Sequence, residues 1–166
     1  MTLHDRALSD IKVAKQLISP VGNPTGDEGI YDIAGYHVQQ GIEKELKYIL
    51  VEECQYQEGE LKQIGHDIDA LVDKVENETN IVLSDTLKWM ASEITNWEAG
   101  TRYGSSAVVL IEDINNAIEE FETLQVQYQD LVEAKNDVDI QEDNLENVDA
   151  EWWDDDDDDS DLGSID

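Results

Sequence analysis

His37, Gln40, Lys44 and Tyr48 recur at i, i+3, i+7 and i+11 within YDIAGYHVQQGIEKELKYILVEE, residues 31–53. At 100° per residue such positions stack along one side of a helix, forming a seam rich in hydrogen-bond donors. An ammonium suits a phosphate, an amide fixes orientation, and an imidazole can donate or stack on a base. A second basic-aromatic element, Arg102 with Tyr103, lies in GTRYG at 100–104. If His37, Gln40, Lys44, Arg102 and Tyr103 converge, they form a small pocket for a nucleotide or another anionic ligand. The alternative is structural. Arg102 then pairs with an acid such as Glu43 or Glu98, Tyr103 packs as a helix-start anchor, and the seam persists for its geometry.

Other chemistry is thinly represented. His66, Asp67 and Asp69 open a helical segment, where acids belong near the positive end of the dipole. No second His or Cys lies nearby to complete a zinc set, so no metal is expected. The single cysteine, Cys54, has neither a CxxC partner nor an activating base and cannot form an internal disulfide. Gly-rich phosphate loops and a GxSxG elbow are absent, and no cofactor is expected.

The elements that must position the seam read as helices. Thr2 is set to cap a first helix in which Leu3, Ala7, Ile11, Ala14 and Ile18 keep helical spacing, and Pro20 ends it. The turn-rich stretch PVGNPTGDEG (20–29) follows. The second helix carries the seam beside an apolar stripe of Tyr31, Ala34, Val38, Ile42, Leu46 and Ile49, and reaches about Tyr56. The polar passage QYQEGELKQIG leads to a short helix burying Ile68, Leu71, Val72 and Val75. A fourth helix spans Leu83 to Trp97. After EAGTRYGSS (98–106), Ser105 or Ser106 should cap a long fifth helix. Ala107, Leu110, Ile111, Ile114, Ala117, Ile118, Phe121, Leu124, Tyr128 and Leu131 form its buried face. Short connections between such rods predict an all-α fold, an antiparallel up-and-down bundle of four to five helices over 1–136.

Periodicity fades at about Asp137. Residues 137–166 hold 15 of the 41 acidic residues and none of the 10 basic ones, which predicts a disordered acidic C-terminal tail. Trp152 and Trp153 beside the Asp run are either incidental aromatics in a solvated extension or an anchor for a basic partner. The formal net charge is −31, and the first 136 residues are already strongly negative. Phosphate backbones and acidic membranes are repelled by such a body, so direct nucleic-acid binding over a broad surface is disfavoured. No apolar run approaches the length of a membrane span, and the amino terminus lacks the pattern of a secretory signal. A cytoplasmic protein is expected.

Three segments together resemble the HEPN domain family. GYHVQQGIEKELKYIL (35–50) is similar to the family's motif helix, GHDIDAL (65–71) to its His-Asp-Leu segment with Ile68 in place of Leu, and GTRYG (100–104) to its Arg-Tyr signature. They occur in the family's order and span residues 3–135. The resemblance implies a helical bundle, a homodimer, and work beside a nucleotidyltransferase, as in toxin–antitoxin or defence-type systems. It also raises metal-independent ribonuclease activity, which in the family uses an Arg followed after four to six residues by a His. Arg102 is followed by YGSSAVVLI, and no His occurs after His66; Arg6 likewise has no His at that distance. A phosphate-binding Arg without its acid/base partner cannot run this chemistry.

The expectation is a non-catalytic HEPN-like domain that binds a nucleotide-type ligand or a protein partner, a nucleotidyltransferase or another basic protein. The alternatives are a HEPN ribonuclease with rearranged catalytic residues, and an acidic decoy acting through its tail.

Overall fold

In the computed structural model of the chain, residues 1–103 and 108–151 are described, with side chains described over 1–98 and 108–142. Six helices are present among them: α1 (Leu3–Ile18), α2 (Glu28–Cys54), α3 (Glu58–Ile64), α4 (Ile68–Glu78), α5 (Asp85–Tyr103) and α6 (Ile111–Glu151). The fold is all-α. The chain divides into two compact units, Met1–Gln129 and Asp130–Asp166.

Local chemistry sets the ends of the helices. Thr2 and Asp5 form a reciprocal capping box at the start of α1, satisfying two otherwise orphan donors. The side chain of Asp27 accepts from Gly29 N–H to begin α2, and Asp67 accepts from Ala70 N–H to begin α4. Asp67 is therefore occupied as a cap. The polar passage before His66 contains a helix of its own, α3, which sequence periodicity alone does not reveal in only 7 residues. It ends at Gly65, whose φ of 72° lies in the left-handed region that favours glycine.

This turn determines the topology. By turning the chain back, α3 and Gly65 bring His66 beside Glu43 in the middle of α2, while Tyr56 and Cys54 at the end of α2 meet Glu78 at the end of α4. So α4 runs alongside α2 in the same direction. The antiparallel pairs are α1 with α2, where His4 meets Glu45 and Asp10 meets His37, and α4 with α5, where Ile68 meets Thr95 and Glu76 meets Lys88. Helix α2 packs against α1, α4 and α5 and is the hub. Its Val38, Ile42, Leu46, Ile49 and Leu50 are fully buried with Ile68, Leu71, Ile94 and Ile114. Gly41 permits the close approach of α1, since a Cβ there would lie 2.8 Å from Ile11 Cδ1 and 3.3 Å from the Ala7 carbonyl oxygen.

Three sequence expectations are corrected. Helix α5 continues past Trp97 to Tyr103, because one glycine costs a helix only about 1 kcal/mol and does not end it. The last helix begins at Ile111 rather than near Ser105, and ahead of it Val109 is buried against Gly35 while Leu110 is 55% exposed. Ser105, Ser106 and Ala107 lie outside the described residues. Helix α6 also runs past residue 136 to Glu151, although every side chain from Asp137 to Glu142 is exposed. A polar chain can stay helical without a buried stripe, so fading periodicity did not mark the end of the helix. Residues 152–166, with Trp152, Trp153 and the Asp run, lie outside the described residues.

Candidate functional site

The polar positions of α2 follow from its pairing with short, polar stretches of its neighbours. They divide into two clusters rather than one seam. On the α1 side, the Asp10 carboxylate takes two members of the predicted pocket: His37 Nδ1 lies 2.9 Å from Asp10 Oδ1, and Lys44 Nζ donates to Asp10 Oδ2. Tyr36 sets its ring edge-on to His37 with centroids 5.6 Å apart. About two turns further along the α1–α2 pair, His4 Nδ1 lies 2.9 Å from Glu45 Oε2, and the His4 ring packs on Tyr48, which meets Tyr128 edge-on. Glu45 is 1% exposed. Burial pushes its carboxyl above the ordinary range, and the hydrogen bond from His4 pulls it partly back. Burial, with Glu53 beside it, also drives the Tyr128 hydroxyl upward.

On the other side, Gln40 Nε2 donates to Gln39 Oε1 at 2.8 Å, and Gln39 Nε2 donates to Glu43 Oε2 at 3.0 Å. Glu43 is buried, and its Oε1 also accepts from Lys47 Nζ at 2.7 Å. His66 Nδ1 stands 3.0 Å from both Glu43 oxygens and 3.9 Å from Glu98 Oε2 on α5. Glu43, His66 and Glu98 thus offer three ligand atoms within 4.8 Å of one another, a set that could hold a metal ion.

Of the five predicted ligand residues, His37 and Lys44 come together on one carboxylate, and Gln40 joins the chain leading to Glu43. Arg102 and Tyr103 occupy the last residues of α5, and their side chains lie outside the described residues. Asp10 and Glu45 were missed because their partners lie 27 or more residues away in sequence. Gln39 with Glu43 was legible, being an i, i+4 pair on one helix. A groove of about 450 Å³ lies between α1 and α6, lined by Leu8, Ile11, Lys12, Phe121 and Gln125; of the described ligand candidates, His37, Gln40 and Lys44 do not line it.

No helix among the described residues is long and apolar enough to cross a membrane. The family model for the HEPN domain matches residues 2–137. No curated protein and no solved structure matches the chain.

Proposed function

The chain belongs to the HEPN domain family, and we propose that it is a non-catalytic member that acts by binding a protein partner. The observation that carries this reading is the internal neutralisation of the seam: Asp10 occupies both His37 and Lys44. A phosphate entering there would have to displace a carboxylate already held by two charge-assisted contacts. The absence of a His after Arg102 speaks in the same direction, since the acid/base half of the family's ribonuclease pair is missing.

The partner is a nucleotidyltransferase-type subunit with a basic face. A formal charge of −31 would steer such a face toward this chain and repel nucleic acid. A homodimer in the cytoplasm is part of the same reading, and the Trp152–Trp153 element beside the Asp run is the anchor it assigns to the tail. A nucleotide-type ligand is the second reading. It is favoured by Lys44 and His37 standing on one carboxylate, an ammonium and an imidazole that a small shift of α1 would uncover.

Two measurements separate these readings. Affinity purification from the native host, with mass-spectrometric identification, should recover a nucleotidyltransferase in stoichiometric amount. Calorimetry with nucleoside triphosphates should give no heat. Nucleotide heat lost in Lys44→Ala, without a recovered partner, would favour the second reading. RNA cleavage abolished by Arg102→Ala would overturn the non-catalytic assignment.

A further inference from the structure

We propose that Glu43, His66 and Glu98 form a binding site for a divalent first-row transition metal of the Zn(II) type. Three separate elements supply the ligands: the middle of α2, the turn before α4, and α5. Around His66 Nδ1, the nearest carboxylate oxygens stand at 3.0 Å on Glu43 and 3.9 Å on Glu98. A tetrahedral ion with bonds of about 2.0–2.2 Å requires its ligand atoms to be about 3.4 Å apart. The two separations from His66 bracket that value, and since all three ligand atoms lie within 4.8 Å of one another, the carboxylates need to draw in by at most about 1.4 Å to close the set.

The donor types agree with this class of ion. Imidazole nitrogen with two carboxylates suits zinc and its neighbours, whereas magnesium and calcium take oxygen ligands. Two carboxylates from different helices face one imidazole nitrogen. Glu43 and Glu98 are 5% and 11% exposed at the side chain and His66 is 57% exposed, which leaves an approach from solvent and an open coordination position.

The surroundings of Glu43 resemble an outer shell that orients a ligand. Gln39 donates to Oε2 and Lys47 to Oε1. Each carboxylate oxygen has two lone-pair directions, so one on each remains for the ion. Among the described residues, Lys47 is a charged group on Glu43 that competes with the cation and lowers its affinity.

Cobalt(II) and zinc(II) titrations of the full chain test the proposal, using His66→Ala, Glu98→Gln and, as a control, His4→Ala. The control removes a histidine from a different carboxylate pair and leaves the acidic tail intact. One saturable site per chain is expected in the wild type and in His4→Ala, with visible cobalt bands of tetrahedral intensity. At least about a tenfold weakening is expected in His66→Ala and Glu98→Gln. Circular dichroism checks that each variant is folded. Loose binding of equal strength in all four proteins would assign the metal to the acidic tail and overturn the site.

Discussion

Replacing Asp10 by Asn tests whether the α1–α2 seam is held by its own charges. The carboxylate takes contacts from His37 and Lys44, with side-chain exposures of 16% for Asp10, 26% for His37 and 24% for Lys44. Hydrogen bonds to charged groups contribute about 1.5–3 kcal/mol when well shielded, and exposed ion pairs about 0–1. At this intermediate burial the pair of contacts is worth about 1–2 kcal/mol. Asn keeps the shape but loses the charge, and its amide can offer only one acceptor oxygen. With a urea slope of about 2 kcal/mol per molar, the unfolding midpoint should fall by about 0.5–1 M with the slope unchanged. In a Lys44→Gln background the same change should cost less than half as much, because one partner is already gone. Equal midpoints for wild type and Asp10→Asn would refute the seam as a structural clamp. Thermal stabilisation of Asp10→Asn by inorganic phosphate would then point to the nucleotide reading instead.

Four further outcomes follow from the geometry. Ile42→Asp or Ile114→Asp puts an unpaired charge at a fully buried position; its cost rivals the whole stability of about 5–15 kcal/mol, so loss of the helical circular-dichroism signal is expected. Gly59→Ala, with open space around its Cβ, should raise stability by about 0.5–1 kcal/mol. Gly41→Ala should lower it, because crowding Ile11 and the Ala7 carbonyl costs about 1–3 kcal/mol and outweighs the helix propensity gained; urea midpoints moving the same way would contradict this. Burial raises Glu45 above 4.5, so its protonated form favours folding: that contribution is present below 4.5 and is lost as pH rises through the raised value. Glu45→Gln should flatten stability across that window, and parallel pH curves for the two proteins would refute the assignment.

Most of the helical plan is written in local pattern. The stripe of Ala34, Val38, Ile42, Leu46 and Ile49 is buried as its spacing requires, and Thr2 caps α1 because a hydroxyl three residues before an acid satisfies two backbone donors. The three motifs at 35–50, 65–71 and 100–104 together also pointed to the family. Local pattern failed where propensity is weak, in the 7-residue α3 and at the start of α6. It also says nothing of which charges meet. Asp10 on His37 and Lys44, Glu45 on His4, and Glu43 with His66 and Glu98 depend on α1, α4 and α5 being laid against α2. A charge's partner is set by distance in space, and Coulomb attraction carries no sequence period. Composition and periodicity made this chain an acidic helical bundle; the return of the chain through α3 and Gly65 decided that His66 would face two buried carboxylates rather than the acids beside it in sequence.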